Sequence, residues 1–352
     1  MARDRDERNG DRKTERKGAF WLGLGIGCVL TSLFYSLLTD LREGGAGGET
    51  TGRELRIAHV LDQSHPVHKA MEYMAGELRR LSGGEMELLI FPNGQLGSET
   101  DSIEQVRRGA LAMVKTSASA MEGFIPEMAV FGLPYLFRDD RHYWRVLEGE
   151  TGQELLQKGG RHGLRGLCYY TAGARSFYTT DRAVLSPADL NNLKIRVMRS
   201  NVAMRTIEQL GASPTPIPWG ELYTALQQGM VDGAENNPPS LYSSRHYEVV
   251  RHYSLNEHTR IPDIIMISGK IWQELSPRER EWLQEAADRS VAYQRELWRE
   301  RTAWSLEEIE EAGVQIHEVD KEPFAELARE VYAAFSGTPI ADYIARIQEA
   351  RE

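Results

Sequence analysis

The chain has few cysteines, no excess of positive charge and none of the short motifs that identify common enzyme classes. Its 352 residues include two cysteines, Cys28 and Cys168, without a CxxC pair or a cysteine–histidine cluster, which argues against a structural zinc or redox site. The formal net charge of −10 argues against nucleic acid as a partner. HExxH, GxSxG and Walker sequences are absent. We expect no metal and no cofactor.

One long apolar run lies near the N-terminus. Residues 19–39 carry no charged side chain over 21 positions, and a helix of that length reaches about 30 Å, enough to span a bilayer core. Residues 1–18 lean basic and are predicted to stay cytoplasmic. An uncleaved signal anchor is favoured over a cleaved signal peptide, because no clean small-residue cleavage site follows. Residues 40–53 are predicted to be a flexible linker.

Alternating strand and helix patterns fill the rest of the chain. The runs at 54–61 and 85–92 are typical of strands, and 65–84 has apolar positions at helical spacing before a Gly-Gly stop. Such a β-α-β unit predicts a mostly parallel sheet in an α/β fold. Ser276, followed by proline, begins a long helical pattern that runs to about residue 311.

The block from residue 175 to 237 carries the strongest functional signal. Arg175 in GARSFYTT and Arg196 in LKIRVM lie in short strand-like runs. A guanidinium is a planar fork that binds a carboxylate through two parallel hydrogen bonds. The passage SPTPIPWGELYTALQQGMVDGAENNP follows, in which Trp219 offers a flat apolar face and Asn236 an amide. Together these residue types suit an acid that carries a polyhydroxylated ring.

The order and spacing of this block resemble the extracytoplasmic solute-binding proteins of TRAP transporters, the DctP-type family. The resemblance extends from about Glu54 to about Phe335. Further similar passages are LRIAHVLDQSHPVHKAMEYMAGELRRLSGG at 55–84, FPNGQLGSETDSIEQVRRGALAM at 91–113 and PEMAVFGLPYLFRD at 126–139. The passage SRHYEVVRHYSLNEHTRIPD at 244–263 is most similar to members that bind acidic sugars.

The resemblance implies a two-lobed clamshell that closes around its ligand, with hinge strands and a long helix across both lobes. Lobe I is expected to comprise 54–174 and 263–352, and lobe II 175–262. The implied protein is a periplasmic monomer, not an enzyme, that captures a hexuronate such as glucuronate or galacturonate. It would deliver this sugar acid to the small and large membrane subunits of a permease.

Three other functions stay open. A second binding function is capture of a C4-dicarboxylate or another organic acid within the same family. A lyase or isomerase acting on sugar acids is the enzymatic alternative, although no metal-ligand set accompanies it. A sensor module tethered by an uncleaved anchor is the third.

The resemblance also assigns site residues in lobe II. Arg196 matches the family's principal carboxylate-binding arginine, Arg175 its second arginine and Asn236 a ligand-bonding asparagine, while Trp219 lines the cleft. Arg199 departs from the family, which more often has a neutral polar residue there, and contact with an anionic ligand and exposure to water are both open.

Three of these assignments have a simpler alternative. Arg196 could form a structural ion pair with Glu235, Arg175 could be an exposed turn residue, and Trp219 could belong to the lobe core. Glu235 is expected either to orient an arginine or to accept a hydrogen bond from a sugar hydroxyl. From lobe I, three polar residues at strand-to-helix junctions complete the predicted site: His65, Glu99 and Ser117.

Overall fold

The structure, a computed structural model, describes residues 52–350. The predicted cytoplasmic segment 1–18, the anchor or signal peptide at 19–39 and all but the last two residues of the linker 40–53 lie outside the described residues. Among the helices between residues 52 and 350, none combines the length and apolar character that crossing a bilayer requires.

Residues 52–350 form two sheets, of which the first has five strands in the order β2-β1-β3-β10-β4. Its strands are β1 (Arg53–Ala58), β2 (Met86–Phe91), β3 (Met113–Ser117), β4 (Leu164–Tyr170) and β10 (Asp263–Ser268). β1, β2 and β3 are parallel, whereas β10 lies antiparallel between β3 and β4. All residues of β3 and β10 are buried, as expected for strands covered on both faces.

The second sheet has six strands in the order β11-β9-β5-β8-β6-β7. Its strands are β5 (Arg175–Thr179), β6 (Lys194–Val197), β7 (Ser213–Pro216), β8 (Gly233–Asn236), β9 (His252–Thr259) and β11 (Gln315–His317). β7 carries Pro214 and Pro216, which an edge strand tolerates because one side of its backbone needs no partner.

Helices cover both sheets. The α-helices are α1 (Pro66–Leu81), α2 (Glu99–Arg108), α3 (Ala118–Met121), α4 (Asp140–Glu148), α5 (Glu150–Gln157), α6 (Asn201–Gln209), α7 (Leu222–Gln227), α8 (Pro238–Ser243), α9 (Gly269–Glu274), α10 (Pro277–Glu311), α11 (Glu322–Ala328), α12 (Glu330–Ala333) and α13 (Pro339–Glu349). Short 3₁₀ turns lie at Pro126–Gly132, Lys158–His162, Pro187–Leu190, Trp219–Glu221 and His246–Glu248.

The predicted β-α-β unit and long helix are confirmed. β1, α1 and β2 form a parallel unit, and α10 runs to residue 311 behind a capping box in which Ser276 and Glu279 satisfy each other's backbone N–H groups. Over the described chain the sheets are mixed, since five strand pairings are parallel and four antiparallel.

The chain passes between the sheets through short connections, and α10 spans the two. Residues 171–174 lead from β4 to β5, and residues 260–262 lead from β9 back to β10. α10 packs against α1 and β4 beside the first sheet and against α8 beside the second. The segment after α10 contributes to both cores, because β11 joins the second sheet while Ile347 packs beneath the first. The lobe boundaries stay a prediction.

Candidate functional site

A cleft between the two sheets collects most of the predicted site residues. The space between its lining residues is about 480 Å³, open solvent included. Seven of the nine predicted residues line it: His65, Glu99, Ser117, Arg175, Arg196, Trp219 and Asn236. Arg199 lines an adjoining compartment. Glu235 is not on the cleft wall and pairs with Arg175 behind it.

Arg196 is a buried guanidinium that the protein satisfies only in part. It lies in β6 and is 2 % exposed. Its Nε donates to the carbonyl oxygen of Ile217 at 2.8 Å, and its Cζ lies 5.5 Å from the centre of the Trp219 ring. Nη1 has no hydrogen-bond partner within residues 52–350. Burial lowers the pKa of Arg196, yet a guanidinium stays charged in proteins. An anion binding there would relieve an otherwise costly buried donor.

Arg175 is buried as well, but Glu235 neutralises it. Glu235 accepts hydrogen bonds from Nε of Arg175 and from Nη2, the latter at 2.9 Å. Nη1 donates to Oδ1 of Asn236 at 2.8 Å. Burial alone would lower the pKa of Arg175, but the Glu235 carboxylate outweighs it and raises that pKa. The exposed-turn alternative for Arg175 is therefore wrong, and so is the proposed Arg196–Glu235 ion pair, because Glu235 orients Arg175.

The cleft contains a third buried cation that the sequence analysis missed. Nζ of Lys115 lies 2.8 Å from Oδ2 of Asp263, and both side chains are buried. They meet because β3 and β10 pair with Asp263 opposite Ser117, which places Lys115 and Asp263 diagonally on one sheet face. Burial raises the pKa of Asp263 to about 6, although Lys115 partly opposes this. This pair carries no net charge when both groups are ionised.

His65 connects the N-terminus of α1 to the opposite side of the cleft. Its Nδ1 accepts a hydrogen bond from the backbone N–H of Val67 at 3.2 Å, and its Nε2 lies 3.2 Å from Oγ of Ser240 at α8. Burial lowers the pKa of His65 well below its ordinary value, so the ring is neutral. With Nδ1 accepting, the proton lies on Nε2 and is donated to Ser240. The hydroxyl proton of Ser240 is then left to donate elsewhere.

Asn236 is the last residue of β8, and its hydrogen bonds with neighbouring residues decide which of its side-chain atoms is left for a ligand. Its Oδ1 accepts from Arg175 and from the backbone N–H and Nδ2 of Asn237, the latter two at 2.9 and 3.0 Å. The side chain of Asn237 caps α8 by accepting from the N–H of Ser240 at 2.9 Å. Since its oxygen is engaged by three donors, Asn236 has its Nδ2 group left to donate into the cleft.

Trp219, Glu99 and Ser117 complete the wall. Trp219 is half-buried and packs against His246 with ring centres 4.9 Å apart. Glu99 begins α2, and its Oε1 accepts from the backbone N–H of Ser117 at 3.1 Å. A flat indole face and an acceptor carboxylate are both suited to a polyhydroxylated ring.

Lys115, Asp263, Asn237 and Ser240 also line the cleft, although none was among the predicted site residues. Lys115 had a usable signal, since ALAMVKTS places one cation in an apolar strand just as LKIRVM does for Arg196. Within residues 52–350 no group of three or more histidine, cysteine, aspartate or glutamate side chains is arranged to hold a metal ion.

The sequence profile of bacterial extracellular solute-binding protein family 7 (DctP) matches residues 57–338. A TRAP periplasmic solute-binding protein from Bradyrhizobium sp. BTAi1, solved with α/β-D-galacturonate, is 43% identical, with a TM-score of 0.82 over 84% of this chain and 100% of that one. A counterpart from Xanthobacter autotrophicus Py2 with β-D-galacturonate is 40% identical, with the same TM-score and coverage.

A third similar structure comes from Roseobacter denitrificans. It holds β-D-glucuronate and is 38% identical, with a TM-score of 0.82 over 85% of this chain and 100% of that chain. The chain therefore belongs to bacterial extracellular solute-binding protein family 7, whose members are the periplasmic, non-enzymatic binding components of TRAP transporters.

Proposed function

We propose that this protein captures a hexuronate, such as galacturonate or glucuronate, and delivers it to the small and large membrane subunits of a TRAP permease. The observation that carries the proposal is the buried Nη1 of Arg196, which lacks a partner within residues 52–350. The ligand carboxylate binds this donor, and lobes 54–174 with 263–352 and 175–262 close around the sugar.

The charge balance of the cleft favours an acid with one negative charge. Arg175 is neutralised by Glu235, and Lys115 by Asp263. Among the buried cations that line the cleft within residues 52–350, Arg196 alone lacks a carboxylate partner. One uncompensated buried charge calls for one anion, because a second buried carboxylate would have no cation left to pair with.

The remaining cleft groups suit hydroxyls. Ser240 and Asn236 are the donors, through the hydroxyl and the Nδ2 group described above. Glu99 and Asp263 are the acceptors, and the Trp219 face supports the ring. A C4-dicarboxylate offers two carboxylates and at most a few hydroxyls, so its second carboxylate would lie near Glu99 or Asp263 and be repelled. A sugar acid satisfies both sets of groups.

A thermal-unfolding screen of the purified protein tests the proposal. A ligand at 100 times its dissociation constant stabilises the folded state by about 2.7 kcal/mol. We expect galacturonate or glucuronate to raise the melting temperature and succinate and malate to leave it unchanged. Chromatography after overnight incubation should return the sugar acid unaltered, as a binding protein requires. Stabilisation by succinate without a response to either uronate contradicts the choice of ligand.

We also propose that residues 19–39 remain as a membrane anchor. The support is the uncharged run of 21 positions, which is long enough to span a bilayer. A linker at 40–53 would hold the binding domain near its permease and raise its effective concentration there. Membrane fractionation followed by N-terminal sequencing tests the anchor. A soluble periplasmic species that begins after about residue 40 would show cleavage instead.

A further inference from the structure

A second compartment adjoins the cleft at Arg196. The space between its lining residues is about 380 Å³, open solvent included. Four side chains form a wall common to both compartments: Glu99, Arg196, Met198 and Trp219. The buried guanidinium of Arg196 therefore stands at the junction, and its Nη1 has no hydrogen-bond partner in the described part of the chain. A carboxylate bound to Arg196 would lie beside the passage from one compartment to the other.

The walls that belong to the second compartment alone include several polar groups. Ser98 and Thr100 lie at the start of α2, and Arg199 is an exposed cation just after β6 of the second sheet. The Ser98 hydroxyl donates to Oδ2 of Asp101 at 2.7 Å in the helix cap, so the Thr100 hydroxyl and the exposed guanidinium of Arg199 are the groups that suit another polyhydroxylated, acidic unit. A carboxylate at Arg199 would keep contact with water, so it needs no buried cation to neutralise it.

We propose that the second compartment receives a second sugar unit, so that the protein binds a uronate disaccharide as well as a single uronate. This inference rests on the proposed function, because it places the carboxylate of the first ring on Arg196. In a hexuronate the carboxylate is attached to C5, next to C4. Of the two glycosidic positions, O4 is therefore nearer than O1 to the carboxylate on Arg196, and we place its substituent in the second compartment, whereas one on O1 would leave from the opposite end of the ring.

The expected ligand is thus a 1→4-linked diuronide whose reducing-end ring occupies the first compartment. Its second ring lies between Ser98, Thr100 and Arg199, and its second carboxylate binds Arg199. Arg199 would then contact the disaccharide but not a single uronate. A monosaccharide whose carboxylate binds Arg196 occupies only the first compartment and does not reach Arg199.

Calorimetry with galacturonate and with 1→4-linked digalacturonate, using the whole protein, tests the inference. We expect both to bind. Arg199→Gln should weaken the disaccharide about two- to fivefold more than the monosaccharide, the range of an exposed charge pair. Arg205→Gln is the matched control, because Arg205 is an exposed arginine on α6 that does not line either compartment. It should leave both affinities unchanged.

Each other outcome has a defined meaning. Binding of galacturonate without binding of digalacturonate overturns the second sugar site and leaves the proposed function intact. Failure of both sugars overturns the proposed function together with this inference. If Arg199→Gln weakens both sugars equally, or neither, the second unit does not reach Arg199 and the inference is wrong.

Discussion

Replacing Arg196 should separate binding from stability. Within residues 52–350 its side chain donates one hydrogen bond, from Nε to the carbonyl oxygen of Ile217, worth about 1 kcal/mol. This gain is opposed by the free-energy cost of burying a cation whose Nη1 has no hydrogen-bond partner within residues 52–350. Arg196→Met keeps an apolar stem of similar length and removes the charge. We therefore expect its free energy of unfolding without ligand to lie within about 1 kcal/mol of the unsubstituted protein, or above it.

Binding should respond very differently. Loss of one partner of a buried, hydrogen-bonded charge pair costs about 2–5 kcal/mol, so Arg196→Met should weaken hexuronate binding roughly 30- to several-thousand-fold. Arg196→Lys should lose affinity in the same range, because an ammonium group cannot form the planar fork.

Urea unfolding without ligand and calorimetry with galacturonate measure the two effects. An Arg196→Lys variant within about threefold of the original affinity would refute the carboxylate assignment. So would an Arg196→Met variant that loses more than about 3 kcal/mol of stability, since that loss is typical of a structural ion pair.

Three further predictions concern stability. Arg175→Met should lower the free energy of unfolding, measured in urea, by about 3–5 kcal/mol, because it leaves the Glu235 carboxylate buried without its cation. Adding Glu235→Gln to this variant should recover part of the lost stability, and no recovery would contradict the Arg175–Glu235 pairing. The melting temperature should fall from pH 7 to pH 5, because burial lowers the pKa of buried histidines such as His246, to about 3, so that below about pH 6.5 protons bind these histidines only in the unfolded chain. Each such histidine then costs up to ~1.4 kcal/mol of stability per pH unit, and Asp263, whose pKa burial raises, opposes this loss only in part. A melting temperature that stays constant or rises as the pH falls would contradict this prediction. Gly173→Ala should lower the melting temperature, because φ of residue 173 is +59° and the new Cβ would lie 2.9 Å from the indole nitrogen of Trp298 in α10. An unchanged melting temperature would show that the connection from β4 to β5 adapts to the extra methyl group.

Local chemistry made part of the fold predictable. A serine cap followed by proline defines the start of α10, and a charged residue in an apolar run singled out Arg196. β9 escaped prediction because its buried face is polar, with Ser254, Asn256 and His258 turned inward. Hydrogen bonds rather than apolar contacts satisfy that face, such as the one from the backbone N–H of Phe177 to Oδ1 of Asn256 at 3.3 Å.

Local sequence patterns could not predict which residues pair with the buried charges. Lys115 meets Asp263 only because β10 returns from the second sheet and inserts antiparallel beside β3. Glu235 pairs with Arg175 because β5 and β8 are neighbours, whereas the sequence analysis named Arg196 as its possible ion-pair partner. The sequence and its family resemblance therefore singled out Arg175, Arg196 and Glu235 but not Lys115 or Asp263. Long-range strand order decides which of them remain available for a ligand.

The most direct test of the central claim is a crystal structure of the protein with galacturonate. The account predicts a ligand carboxylate oxygen about 2.7–2.9 Å from Nη1 of Arg196, with Arg175 still bound to Glu235. A bound galacturonate whose carboxylate lies on Arg175, Lys115 or Arg199, with Nη1 of Arg196 left to water, would contradict it.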